Sequence, residues 1–296
     1  MPNIRSVVKS VTKTVSQRVD GIIADVIPLA RRLTGDDGCI AYSLRDIGAN
    51  GGPVVNVRRN HDDATRDFTA AEVAAGDVLT WAQDGASIVV QAYVTRWYDQ
   101  GDSTWKRDAI QTNTQRQPYL VLNDVYQSDG ILFGNARWLD TTAEPTNTNL
   151  NWSQPITNLM LSKVVVQTGF AGVYWGTSNS FGSFFFESPN ATFNFTADAQ
   201  STTANCLNNG SQLGTGVKKQ STIISDSTSV MRLDGTQVAS GTFGTNGISN
   251  NIHMGTVTGF LLDGSFNIPE IYFFNSKPSD DFITEIENDQ KAYYGI

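Results

Sequence analysis

Apolar side chains recur every three or four positions through the first segment, at Ile4, Val8, Val11, Val15, Val19, Ile22, Val26, Leu29 and Leu33. This period predicts a helix with one narrow apolar stripe. Ser, Thr, Lys and Arg fill the other positions, which suits either a helix packed on its own domain or one that docks on a partner or bundles with copies of itself. Gly21 and Pro28 are expected to interrupt or kink it.

Past the turn signal Gly35-Asp36-Asp37-Gly38 the period changes. CIAYSL, PVVNVRR, SIVVQAYVTRWYD, PYLVL, GILF, NLMLSKVVVQ, GVYWG, GSFFFE, ATFNFTA, STIISD, SVMRLDG, IHMG, TGFLLDG and IPEIYFF each read as a strand bounded by Gly, Asn, Asp or Pro. The Ala-rich stretch 69–82 predicts a short helix. Residues 279–293 predict a final one, with Ser279 as N-cap and Phe282, Ile283 and Ile286 on one side. Many short strands without β/α alternation predict an all-β sandwich of the jelly-roll kind. One boundary stands out, separating a helical segment, 1–35, from a body, 36–296.

Charge sharpens that division. The chain of 296 residues has a net charge of −8, yet residues 1–35 hold six basic side chains against two acidic ones, a net +4, which leaves −12 on the body. An acidic body lacks the clustered Lys and Arg that phosphate contacts need, so no nucleic-acid partner is expected. No apolar run approaches the roughly 18 residues of a membrane span, and charges interrupt the N-terminal hydrophobics, so neither membrane insertion nor a secretory leader is expected. Cys39 and Cys206 lie far apart with no CxxC or Cys/His cluster, which argues against zinc and reads as two buried thiols or one long-range disulfide.

The run GCIAYSLRDIGANGGPVVNVRRNHDDATRDF, followed by YVTRWYDQ, DAIQT and RQPYLV, resembles the opening of the catalytic domain of α-L-arabinofuranosidase B enzymes. Similar openings occur in proteins of tailed bacteriophages and bacteria that lack the enzyme's active site. The remainder, from GILFGNARWLDTT through MRLDGTQVAS to the closing IPEIYFF and helix, resembles a laminin-G or concanavalin A-like jelly roll. The resemblance implies a concanavalin A-like sandwich over 38–296 and, in its phage form, a virion structural protein: a capsid decoration or tail-fibre component, assembled in the host cytoplasm with other virion proteins and as a homo-oligomer such as a trimer. Combined with the basic stripe, it assigns residues 1–35 to particle anchoring and the body to host-surface glycan binding. The alternative it implies is a glycoside hydrolase acting on a polysaccharide.

A glycosidase needs two carboxyl groups about 5 to 9.5 Å apart. The arabinofuranosidase family carries one on a strand near adjacent cysteines, and this chain has no Cys-Cys pair. The remaining candidates are Glu187 with Asp198, Asp226 or Glu270. His61 and His253 stand outside any triad context. No DxDxDG loop or phosphate-binding glycine loop occurs; the only metal a jelly roll of this kind suggests is a structural calcium ion. Non-covalent sugar binding fits better. Trp105, Trp138, Trp152, Tyr174 and Trp175 lie beside Asn, Asp or Gln, the pairing that stacks on sugar rings and bonds their hydroxyls. Arg58 and Arg59, at a strand end, are expected to pair with a carboxylate such as Asp99, and Asp234-Gly235 reads as a two-residue hairpin turn.

Overall fold

The computed structural model describes residues 39–48, 51–101, 106–134, 136–141, 150–166, 175–177, 185–187, 194–198, 207–212, 216, 218–241, 247–255 and 265–296. The N-terminal stripe lies outside the described residues. The first strands are β1 (Cys39–Ser43), β2 (Pro53–Arg59) and β3 (Thr65–Thr69), followed by two short helices, α1 (Ala70–Ala75) and α2 (Asp77–Gln83). Next come β4 (Ala92–Trp97), β5 (Ala109–Ile110), β6 (Tyr119–Leu122), β7 (Val125–Tyr126), β8 (Ile131–Gly134), β9 (Leu139–Asp140), β10 (Leu150–Trp152) and β11 (Ile156–Val166). The rest are β12 (Trp175–Thr177), β13 (Phe185–Glu187), β14 (Asn194–Asp198), β15 (Leu207–Gln212), β16 (Lys218–Ser225), β17 (Ser229–Leu233), β18 (Thr236–Gly241), β19 (Ile248–Asn250), β20 (Ile252–Met254), β21 (Ser265–Phe274) and α3 (Asp280–Tyr294). All the strand pairings among the described residues are antiparallel, and the fold is an all-β jelly-roll sandwich.

Strand β21 is an interior strand of the large sheet. One edge pairs along its length with β11, while the other pairs first with β8 over Ser265–Ile268 and then with β1 over Glu270–Phe274. The handover falls at Pro269, which has no N–H to give to either partner. Gly130 lies against that point, and a Cβ there would sit 2.3 Å from the Pro269 nitrogen. Only a residue without a side chain allows the approach.

Alternation sorts the side chains of β1, β21, β11 and β16 onto two faces. Ile40, Tyr42, Met160, Ile223, Ile271 and Phe273 turn into the main core with the inward residues of β2, β4, β8 and β20. Cys39, Ala41, Leu159, Ile224, Tyr272 and Phe274 form a second apolar layer, which Ile283 and Ile286 of α3 cover. Both helix ends are capped: Ser279 Oγ accepts from the Phe282 N–H at 3.2 Å, and Gly295 closes the last turn in the left-handed region.

The motif WYDQ has a structural task. β1 is paired on one edge by β21, and its other edge is closed by Asp99 and Gln100. The Ala41 N–H donates to Asp99 Oδ1 at 3.0 Å and the Gln100 N–H to the Ala41 carbonyl at 2.7 Å, while Gln100 Nε2 donates to the Ser43 carbonyl at 2.7 Å. Asp99 also accepts from the Gly101 and Arg107 N–H groups. Burial pushes its carboxyl up to about 6, against these three bonds, which favour the charged form.

The expected Arg58–Asp99 or Arg59–Asp99 pair is therefore corrected. Arg59 forms its fork with Asp62, at 2.9 and 2.8 Å, and Arg58 bonds Asp63 at 2.5 Å, because the turn after β2 brings those acids closer than any distant one. The expected strand SIVVQAYVTRWYD is also shorter, since residues 88–91 precede β4 and leave Ile88 and Val89 exposed. The Ala-rich helix is two, broken at Gly76 with φ +82°. Asp234 and Gly235, both at positive φ, make the expected turn between β17 and β18. Cys39 is fully buried, and Cys206 lies outside the described residues.

Closing an edge with side chains makes that edge sensitive to single atoms. A Cβ on Gly101 would lie 2.0 Å from the Cys39 carbonyl oxygen, so Gly101→Ala is expected to cost about 2 kcal/mol or more. Asp99→Asn places an amide donor against a backbone donor and is expected to cost about 1 to 3 kcal/mol. Urea unfolding checks both; midpoints equal to wild type contradict this account of the edge.

Candidate functional site

The sugar-stacking candidates do not gather. Trp105 and Tyr174 lie outside the described residues, and Trp175 is described only through its backbone register with Met254. Trp152 is 7 % exposed and belongs to the main core, so it is withdrawn as a stacking residue: an indole enclosed on both faces offers no surface to a ring. Trp138 alone of the five is half-buried with a described environment. It leads to the most developed polar surface among the described residues.

That surface is the outward side of β2, β4 and β6 together with the turns before β6 and β9. In β4, Ala92 and Val94 point into the core, which turns Tyr93 and Thr95 outward; Arg58 of β2 and Tyr119 of β6 share that side. Tyr93 and Tyr119 pack with ring centroids 5.2 Å apart. The Arg137 guanidinium lies 4.2 Å from the Tyr119 centroid and 5.3 Å from that of Tyr93, Arg58 lies 4.6 Å from Tyr93, and Arg116 lies 5.2 Å from Trp138. Three cations thus sit over three aromatic rings, as one group on Tyr93 and Tyr119 and one on Trp138, and the two groups form a seam joined through the backbone of Arg116, Gln111 and Trp138.

Two buried glutamines hold the seam in place. Gln117 accepts from Arg58 Nε at 2.9 Å, gives its own amide to the Gln111 carbonyl at 2.9 Å, and offers its backbone carbonyl to Arg137 at 2.6 Å. Gln111 donates to the Trp138 carbonyl at 3.2 Å. Their hydrogen-bonding capacity is spent within the protein. Contact with a ligand falls to the guanidinium N–H groups and the ring edges, because guanidinium already covers one face of each ring.

The buried carboxylates are saturated. Glu270, fully buried on β21, accepts a fork from Arg45 at 2.7 and 2.9 Å and further bonds from Ser43, Tyr272 and Tyr294; Arg45 also reaches Asp289 of α3. Glu287 of α3 takes Thr222 at 2.7 Å and Arg232 at 2.8 Å. Both acids anchor the last helix, so Glu270 is corrected from a candidate catalytic partner to an anchor. Asp226 sits in the turn before β17, bonded to the next N–H at 2.6 Å. Glu187 and Asp198 lie on the paired strands β13 and β14, with side chains outside the described residues. Among the described residues no group of three His, Cys, Asp or Glu could hold a metal ion, and no helix is long and apolar enough to cross a membrane.

His253 of β20 faces Asp140 of β9, its register partner, with Nδ1 3.5 Å from Oδ2. It is 9 % exposed and neither ring nitrogen makes a hydrogen bond. Burial lowers its proton affinity, and Asp140 offsets this only in part. His61 stands in the turn after β2, 3.8 Å from Asp62.

No family model matches the sequence, and no curated protein is detectably similar to it. Among solved structures, the fold is similar to a GH54 α-L-arabinofuranosidase soaked with a cyclic sulfate inhibitor, with a TM-score of 0.59 and 13 % identity. It is similar also to an arabinofuranosidase complexed with arabinofuranosyl-α-1,2-xylobiose, with a TM-score of 0.58 and 15 % identity. Each match covers 84 % of this chain, and the chain spans 61 % of the length of those enzymes. At such identity the likeness establishes the sandwich and carries no residue across.

The lowered proton affinity of His253 has a measurable sign. An unfolded histidine titrates near 6.5, so the unfolded chain takes up this proton first, and the stability that neutral His253 contributes is present above about 6.5 and lost as pH falls through its folded value. Thermal unfolding of wild type is expected to drop more between about pH 7 and 5 than that of His253→Gln. Parallel curves exclude His253 as the source.

Proposed function

We propose that this laminin-G-type sandwich is a non-catalytic glycan-binding domain of a bacteriophage virion, joined to the particle through residues 1–35. The seam of Arg58, Arg116 and Arg137 over Tyr93, Tyr119 and Trp138 is the observation that carries the binding role. Saccharides present dense arrays of oxygen acceptors, and guanidinium groups held flat on aromatic rings are donors whose ordering cost is met in folding rather than in binding. The similarity to arabinofuranosidase structures supports a scaffold suited to sugars. The sequence's apolar stripe and its +4 charge beside an acidic body support the attachment role.

The domain therefore holds its target without altering it. A glycan array probed with the full chain is expected to retain it on a subset of glycans, and Trp138→Ala or Tyr119→Ala is expected to weaken that retention about tenfold, a loss of about 1.4 kcal/mol. A blank array overturns the binding role. Release of sugar from arabinan or arabinoxylan by the wild-type chain, lost in Glu187→Gln, overturns the non-catalytic part. Removal of residues 2–34 is expected to leave a folded body that fails to enter particles, and normal incorporation overturns the attachment role.

A further inference from the structure

We infer that the glycan held at this seam is acidic, with a carboxylate or sulfate seated between Arg116 and Arg137. The inference rests on the glycan-binding reading and adds the class of sugar.

Most arginines of this region already have an acid. Arg58 bonds Asp63, Arg59 bonds Asp62, Arg66 bonds Glu72 and Arg96 bonds Asp108. Arg116 and Arg137 differ. Arg116 donates to the Ala136 carbonyl at 3.2 Å and Arg137 to the Gln117 carbonyl at 2.6 Å, and neither meets a carboxylate among the described residues. Arg137 Nε is buried with no acceptor, which leaves the terminal N–H groups of this guanidinium as the ones that can meet a ligand. A backbone carbonyl and a ring face compensate a guanidinium only partly, since the attraction of a cation to an aromatic ring is weaker than its pairing with an opposite charge. An oxyanion accepting two parallel N–H bonds is the stronger and geometrically matched partner.

The two side chains are held by the same pair of turns. The Trp138 N–H donates to the Arg116 carbonyl at 2.9 Å, and the Arg116 side chain returns to the carbonyl of Ala136, so the turns before β6 and β9 are laced together with both cations on them. Asp63 answers Arg58, and Asp140 faces His253, so neither acid neutralises the pair. The chain as a whole is acidic at −8, but its distant charges are screened beyond about 8 Å at physiological salt. At contact the two nearby cations dominate.

Calorimetric titration of the full chain with three oligosaccharides of equal length tests this: oligogalacturonate for the carboxylate, sulfated dextran for the sulfate, and plain dextran as the uncharged control. Either acidic oligomer is expected to bind at least about tenfold more tightly than plain dextran at about 0.1 M salt, and the advantage should shrink towards about 0.5 M. Arg116→Gln with Arg137→Gln should abolish it. Arg116→Gln by itself, which leaves the Arg137–Gln117 bond intact, should remove most of it. Replacing both by Lys should retain part, as the charge survives without the planar fork. Arg66→Gln, outside the seam, should change nothing. Equal binding of plain dextran, or an unchanged affinity for both acidic oligomers in folded Arg116→Gln, overturns the inference. If the array retains only uncharged sugars, the acidic class is wrong and the glycan-binding role stands; if it retains none, both fall.

Discussion

A buried strand has to satisfy its backbone donors and acceptors on both edges, and in this protein β1 meets that requirement with two side chains and one backbone N–H where a second strand would ordinarily lie. Asp99 and Gln100 complete the hydrogen-bonding edge that β21 leaves open. Because β21 also changes partners along its other edge, from β8 to β1, the residues that close β1 help fix where that change falls. An unsatisfied buried amide costs about as much as a sizeable share of a domain's net stability, so this edge is a constraint and not an ornament. The motif containing Asp99 and Gln100 thus serves the sheet, and its resemblance to the opening of an enzyme domain speaks to how this fold closes.

The same economy governs the buried charges. Glu270 on β21 and Glu287 on the buried side of α3 are each met by an arginine and at least one hydroxyl donor. Such groups give little net stability compared with apolar packing, but they make the docking of the helix specific, because any other position leaves a buried carboxylate without partners. A carboxylate committed in this way is unavailable for proton transfer to a substrate. The acids that a glycosidase would use would have to come from elsewhere in the chain.

On the outward side of β2, β4 and β6, two buried glutamines orient arginines over tyrosine and tryptophan rings. The arrangement is rigid for a physical reason: Gln117 bonds Arg58, Gln111 and Arg137 simultaneously, so no member can move without breaking bonds to the others. It also leaves positive charge concentrated on one face of an acidic protein, where binding would depend on contact chemistry more than on long-range attraction.

Local periodicity determined much of this. The alternation in PVVNVRR, the positive-φ requirement of Asp234-Gly235 and the N-cap at Ser279 are properties of a few consecutive residues, and the all-β class, the strand β2, that turn and the closing helix follow from them. Short strands such as β5 and β9 were not legible, because two residues carry no period and are strands only by virtue of their neighbours. The sequence does not determine the partners of Arg58 and Arg59 for a similar reason: a guanidinium takes whichever acid the turn brings nearest, and spacing along the chain does not reveal the turn's shape. Of the seam, the sequence singles out only Trp138, as a stacking residue, and Arg58, as half of an ion pair, and it does not bring the two together. Tyr93, Arg116, Tyr119 and Arg137 are ordinary residues in three separate stretches, and only the tertiary packing, with Gln117 bonded across it, places cation over ring.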